Sequence, residues 1–252
     1  MTPAFANKVA IVTGGAGVIG MATARRLVAG GARVALVDRD AARLSANVEQ
    51  LGADKAIGMA ADVTDASEVA AYAERARVEL GPIDAFFNNA GVEGPTAPMS
   101  EYPDEAFQAV QAVNVTGVFL GLKHVMPRMR DGGAVVITSS TAGLRGAPGF
   151  AGYTMSKHAV IGLMRTAALE GAPRRIRVNS VHPAMVDSEM MGRIERDRGD
   201  PAVMREKFLA RIPLGRYIEP DEVAALVCFL MSDDARMITG GQYAIDGGAM
   251  LI

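Results

Sequence analysis

Apolar positions along the first half of the chain fall into two alternating patterns. Short, nearly unbroken apolar runs, Val9–Thr13, Arg33–Val37, Ala56–Ala60 and Ile83–Phe87, read as strands buried on both faces. Between them, Ala-rich amphipathic stretches, Ile19–Ala29, Ala41–Leu51 and Ala66–Leu80, read as helices. Strand, helix, strand at this spacing predicts a parallel sheet with helices on both faces. The second half continues the theme, with strands expected over Ala134–Thr138, Arg177–Val181 and Gly240–Ile245 and helices over Asp104–Met129 and Tyr153–Glu170. Gly30–Gly31, Gly52, Gly81–Pro82, Gly132–Gly133 and Gly171 are placed to punctuate helix ends. No repeat, low-complexity segment or linker divides the chain, so residues 1–252 read as one doubly wound α/β domain.

One segment breaks the alternation. Residues 187–220 are charged, Met-rich and irregular. Sheets of this class bind ligands beyond the carboxyl ends of their strands, so a long insertion there is expected to be a substrate lid. The alternative is an exposed helical hairpin that only packs.

Composition narrows the function classes. The net charge is −2, with no basic excess, which argues against nucleic acid or an anionic membrane surface as partner. The single cysteine, Cys228, excludes an internal disulfide and lies in the apolar run 223–231, so it reads as core packing. Met1–Lys8 shows no basic region followed by an apolar stretch, and no run approaches the length of a membrane span. A soluble cytoplasmic protein is expected.

Two ends of a reaction site can be read from the chain. Thr13-Gly14-Gly15-Ala16-Gly17-Val18-Ile19-Gly20 follows the first strand and opens a helix. Such a turn brings backbone N–H groups and a helix N-terminus to a pyrophosphate. Asp38 ends the second strand, where a carboxylate accepts from adenosine ribose hydroxyls and repels a 2′-phosphate. NAD is therefore favoured over NADP, although Arg39 leaves some NADP tolerance open. Asp62 and Val63 close the third strand; Asp62 could meet the adenine amino group, cap the next helix, or do both, and Asp65 competes for the cap. At the other end, Tyr153 and Lys157 stand at i and i+4 on one helical face. A free tyrosine titrates near ~10, too high for a base at neutral pH. A neighbouring ammonium favours the phenolate, and a tyrosine lowered in this way could move an alcohol proton. Ser140 closes a predicted strand 13 residues before Tyr153 and is a candidate to hold the substrate oxygen.

This ordered set resembles the short-chain dehydrogenase/reductase family, in its single-domain form of roughly 250 residues. The resemblance runs nearly end to end, through the glycine turn, Asn88-Asn89-Ala90-Gly91, Asn114, Ser140, Tyr153 and Lys157. It continues through Arg177–Pro183 and Asp246-Gly247-Gly248. It implies a Rossmann-type fold in which Gly14, Gly17, Val18 and Ile19 meet the cofactor. It further implies Tyr153 as acid/base, Ser140 as the residue polarising the substrate oxygen, and Lys157 as the ribose ligand that lowers the tyrosine. Asn114 would hold a water leading from Lys157 to solvent. Asn89, Ala90 and Gly91 would line the adenosine side, and Pro183, Val186 and Ser188 the nicotinamide end. Val18 and Ala184 depart from the family, which usually has glycine at both positions, and Ser188 replaces a frequent threonine. Valine in the first turn of a helix needs no positive φ, so the departure bears on the phosphate contacts and not on the site.

Around the expected active site, Glu93, Thr141, Leu144, Phe150, Met185, Met190 and Met191 are candidate pocket residues, with core packing the competing role for the methionines. His124, His158 and His182 show no metal-ligand spacing, and no metal is expected. The resemblance implies an NAD-dependent alcohol dehydrogenase or ketoreductase acting on a small, apolar or cyclic secondary alcohol or its ketone. A 3-oxoacyl-carrier-protein reductase is the alternative, with a non-catalytic NAD-binding sensor behind it. It also implies a homotetramer built through the long helices and the C-terminal strand, with Ala249–Ile252 against a neighbouring subunit or a lid.

Overall fold

The computed structural model describes residues 4–251. Seven strands, β1 (Val9–Thr13), β2 (Arg33–Asp38), β3 (Ala56–Ala60), β4 (Ile83–Asn88), β5 (Met129–Thr138), β6 (Arg177–Pro183) and β7 (Gln242–Ile245), form one sheet in the order β3-β2-β1-β4-β5-β6-β7. Every ladder is parallel. The period of two along each strand sorts its side chains onto two faces. Ile11, Val37, Phe86, Ile137 and Val178 join the core under α3 (Ala66–Leu80), α5 (Gly117–Val125) and α6 (Ala151–Gly171). Val12, Leu36, Phe87, Val136 and Val181 join the core under α1 (Val18–Ala29), α2 (Ala41–Leu51) and α9 (Pro220–Met231). Cys228 sits in α9, partly buried against this second core, and burial pushes its thiol up to about 12.

The chain starts in the sheet centre, winds outward to β3, then returns to pair β4 with β1. Loops leaving β1 and β4 therefore part to opposite faces at their carboxyl ends, which opens the crevice where this topology takes ligands.

Three expectations change. The helix expected over Asp104–Met129 is interrupted: α4 (Asp104–Gln111) passes into a π turn over Ala112–Thr116, then α5, then a 3-10 turn over Met126–Arg128. Gly132–Gly133 end no helix; they lie inside β5, whose pairing with β4 shifts register between Ile83 and Ala85. The last strand begins at Gln242 and not at Gly240. The 187–220 insertion folds as α7 (Glu189–Asp197) and α8 (Pro201–Leu209) around a third apolar cluster of Met191, Phe208, Ile212, Tyr217 and Ala249. Ala249 is thus tied to the insertion; Ile252 lies outside the described residues. No helix among the described residues is long and apolar enough to cross a membrane.

Candidate active site

A single cavity of about 930 Å³ runs along the carboxyl ends of the strands, from Asp38 and Asp62 at one end to Tyr153 and the insertion at the other. At the first end, β1 turns sharply into α1. Gly14 takes φ +68°, and a Cβ there would come within 2.8 Å of the Asn89 amide nitrogen, so both conformation and space require glycine. Gly17 is the N-cap of α1 and Val18 its first helical residue, with no positive φ. No side chain caps α1, so the N–H groups of its first turn are available, and Gly14, Gly17, Val18 and Ile19 line the cavity.

Asp38 lines the cavity at the end of β2 and is fixed by two backbone donors, Ala16 N at 3.1 Å and Asp40 N at 3.2 Å. Each carboxylate oxygen keeps a second lone pair for a ligand hydroxyl. Arg39 lies beside it on the wall. Asp65, not Asp62, caps α3, accepting from Ser67 N and Glu68 N at 2.7 and 3.1 Å. Asp62 accepts from Thr64 N and Thr64 Oγ1, both at 2.8 Å, and with Val63 lines the cavity. Asn89 ties three strand ends together: its amide nitrogen donates to the Thr13 carbonyl at 3.1 Å, and its oxygen accepts from Thr138 Oγ1 at 2.9 Å. Ala90 N donates to Thr13 Oγ1 at 3.2 Å. Gly91 needs its bare backbone, since a Cβ would press on Asn114 Oδ1 at 3.2 Å and Lys157 Nζ at 3.4 Å.

Tyr153 lies in the first turn of α6 and Lys157 one turn further on, facing the carboxyl end of β5. The Lys157 ammonium stands 5.5 Å from the Tyr153 ring centre and donates to the Thr138 carbonyl at 2.9 Å. Burial lowers Lys157 to about 8. Burial likewise raises Tyr153 to about 12, with the Ser140 hydroxyl drawing it back and the Glu93 charge adding to the rise. For the protein's own groups, with no nicotinamide present, desolvation of the phenolate sets the direction of the tyrosine shift. Ser140 accepts from Ala142 N at 3.1 Å and makes a long bond, 3.3 Å, to the Pro183 carbonyl. That weak bond leaves the hydroxyl free to turn to another acceptor.

Asn114 is fully buried behind Gly91 and is not on the cavity wall. The π turn carries it inward, where its side chain donates to the Val92 carbonyl and Ser156 Oγ, each at 2.9 Å, and accepts from Val92 N at 2.8 Å. Its side chain braces α6 against the post-β4 loop rather than standing in the cavity. Leu144 is also off the wall: the 3-10 turn Thr141–Gly143 swings it onto the core. Glu93, Thr141, Phe150, Pro183, Met185, Val186, Ser188, Met190 and Met191 all line the cavity, as does Ala184. Ser188 caps α7 by accepting from Met191 N at 3.2 Å while donating to the Val186 carbonyl at 3.0 Å. His182 is buried between the Ser140 carbonyl and Ser180 Oγ, at 3.0 and 2.8 Å.

Sequence reasoning missed a set of arginines on this wall: Arg43, Arg145, Arg193, Arg198 and Arg211. Arginines on a helix face or in irregular stretches read as solvated surface, and only the fold shows that they line one cavity. Among the described residues no group of three or more His, Cys, Asp or Glu could hold a metal. The uncapped α1 terminus, the glycine turn, the carboxylate at Asp38 and the length of the cavity fit a dinucleotide.

Comparison with known proteins bears on this arrangement. A family model described as enoyl-(acyl carrier protein) reductase matches residues 14–250. Levodione reductase of Leifsonia aquatica is 38% identical over 255 residues, covering 98% of this chain and 96% of the relative. A crystal structure of levodione reductase aligns with a TM-score of 0.94 at 38% identity, covering 98% of this chain and all of that one (100%). Cis-4-hydroxycyclohexanecarboxylate dehydrogenase of Sinomonas cyclohexanicum is 39% identical over 251 residues and 98% of each chain. A structure of NAD+-bound xylitol dehydrogenase aligns with a TM-score of 0.94 at 36% identity, over 97% of this chain and 99% of the other.

Proposed function

The chain belongs to the short-chain dehydrogenase/reductase family, and from that membership we propose an NAD-dependent oxidoreductase that interconverts a small, apolar or cyclic secondary alcohol and its ketone. The observation that carries this reading is the meeting of Ser140, Tyr153 and Lys157 on one wall of the cavity whose far end holds the glycine turn and Asp38. Two of the relatives are named for reactions at six-membered ring alcohols or ketones, which supports the cyclic class.

When bound, NAD supplies the hydride acceptor for oxidation and, once reduced, the hydride donor for reduction. The residues do the rest. The uncapped first turn of α1 and the Gly14 turn hold the pyrophosphate, and Asp38 holds the adenosine ribose and disfavours a 2′-phosphate. Ser140 exchanges its long bond to Pro183 for the substrate oxygen. Tyr153 takes the hydroxyl proton in oxidation and returns it in reduction. Lys157, fixed on the Thr138 carbonyl, places a positive charge over the tyrosine ring that favours the phenolate while the proton is away. Asn114 acts through α6, keeping Tyr153 and Lys157 in register with the post-β4 loop. The insertion 187–220 serves as the lid that shuts water from the reacting oxygen.

The protein is a cytoplasmic homotetramer in this reading. Outward apolar side chains Phe119 on α5 and Met155 and Leu169 on α6 support assembly through these two helices.

A panel of cyclic secondary alcohols and ketones with NAD(H) and NADP(H), followed at the nicotinamide absorbance, tests the function. Turnover with NAD(H) on the free alcohols is expected. Turnover confined to an acyl-carrier thioester with NADPH would replace this reading with the acyl-carrier reductase.

A further inference from the structure

Apart from Arg39 beside Asp38 and Lys157 beside Tyr153, the cations on the cavity wall divide into two groups. Arg193 pairs with Glu93 and Arg43 with Glu189, both at 2.6 Å. Arg145, Arg198 and Arg211 line the same wall as Tyr153, Phe150 and Phe208 but have no carboxylate partner among the described residues. Arg198 is the most constrained. Its guanidinium carbon sits 4.6 Å from the centre of the Phe150 ring, and Nη2 donates to the Pro148 carbonyl at 2.7 Å. Its Nε is buried with no acceptor. The Phe150 ring meets the Tyr153 ring edge-on at 6.4 Å, so this cation stands one aromatic ring away from Tyr153. Burial, and then the charge of Arg211, lowers the Arg198 pKa. Two guanidinium groups that repel are unfavourable together; an oxyanion shared between their outward-facing nitrogens removes that repulsion.

We propose that the insertion end of the cavity is a carboxylate site, in which Arg198 and Arg211 bind an acidic group on the side of the substrate remote from its carbinol carbon. Guanidinium suits this task because its planar fork matches a carboxylate in a bidentate pair. The substrate is then an acidic secondary alcohol, its ring seated between Tyr153 and the arginines along Phe150. The assignment of substrate class rests on the dehydrogenase reading above; the anion site itself does not.

The test separates the two. Cyclohexanecarboxylate, which carries no reacting hydroxyl, is titrated calorimetrically against the NADH-loaded protein, beside the neutral cyclohexanecarboxamide. The acid is expected to bind about ten-fold or more tightly than the amide, as a charge-assisted pair implies. Arg211→Met, at an exposed position, and Arg198→Met are each expected to bring the ratio to within about three-fold. In parallel, kcat/KM for 4-hydroxycyclohexanecarboxylate against its amide is expected to favour the acid, with the ratio collapsing in both variants chiefly through KM. Equal binding of acid and amide by the unaltered protein, or an acid preference unchanged in both variants, overturns the proposal. Acid binding that depends on both arginines, without turnover of either alcohol, upholds the anion site and overturns the assignment of an acidic secondary alcohol as substrate.

Discussion

Lys157 carries its ammonium into a site where burial holds it at about 8, against the ordinary 10.5. Below pH 8 the folded protein keeps a desolvated charge that the unfolded chain would leave in water. Between 8 and 10.5 the unfolded chain binds the extra proton, so this group's contribution to stability rises with pH through that window. Tyr153, pushed up to about 12, contributes the opposite slope, and only above its ordinary 10. Lys157→Met removes the lysine titration while keeping most of its length. The stability of that variant relative to the unaltered protein is expected to fall by about 2 kcal/mol from about pH 7 to about pH 10. Urea unfolding at both pH values checks it, and a difference flat with pH would mean that the ammonium is solvated. Tyr153→Phe keeps the ring and loses the proton carrier: turnover should fall by roughly 10²–10⁴-fold, with NADH affinity little changed in a fluorescence titration. These two residues were legible because helical spacing alone puts i and i+4 together. Asp38 and the glycine turn were legible from their places at strand ends. Leu144 was misplaced because closeness in sequence to Ser140 is not closeness in space once a 3-10 turn intervenes. The wall arginines have no local pattern at all; they converge only through the tertiary fold.

The insertion helices meet the body through two ion pairs of different character. Arg43 on α2 and Glu189 on α7 are both more than half exposed, so solvent screens them and Arg43→Ala should scarcely move the unfolding midpoint. Arg193 on α7 holds Glu93, whose side chain is only 10% exposed. Removing Arg193 leaves a largely buried carboxylate on the cavity wall without its partner, at a cost on the order of 1–3 kcal/mol. Arg193→Ala is therefore expected to lower the denaturant midpoint clearly and to raise KM, since the insertion loses its fixed hold on the post-β4 loop. Equal effects from the two arginine variants would contradict this division. The insertion was visible in the sequence as an interruption of the α/β alternation, and both of its helices carry plain N-caps, Ser188 and Asp200. The π turn was not visible. It adds a single residue to a helix whose apolar period continues on either side, so the pattern from Asp104 reads as one unbroken helix. What it changes is which way Asn114 points, and that depends on the buried partners waiting at Val92 and Ser156.

Strands that are apolar on both sides force helices onto both faces of the sheet and leave the carboxyl ends as the free edge for a ligand. That much was written in the alternation of short apolar runs and amphipathic stretches. A different imbalance stands on the outside of the molecule. Met155, Gly162 and Leu169 recur every seven residues along one face of α6, and all three are exposed, Leu169 at 78%. A Cβ built on Gly162 meets nothing within 4 Å, so this face has no partner among the described residues. Phe119 is 46% exposed on the neighbouring α5. Small and apolar residues on the outer face of a long helix let a second copy approach closely, and burying them there removes apolar area that a monomer would leave in water. The assembly we propose buries these positions, so light scattering of the unaltered protein should give a tetrameric mass. Leu169→Glu places a charge in the packed face, where it would be desolvated without a partner, and should shift the mass toward dimer or monomer. Because residue 169 lies at the far end of α6 from Tyr153, circular dichroism of the variant should stay unchanged, which separates lost assembly from lost folding. A monomeric mass for the unaltered protein, or a tetramer that tolerates glutamate at this position, would place the subunit contacts elsewhere on the surface.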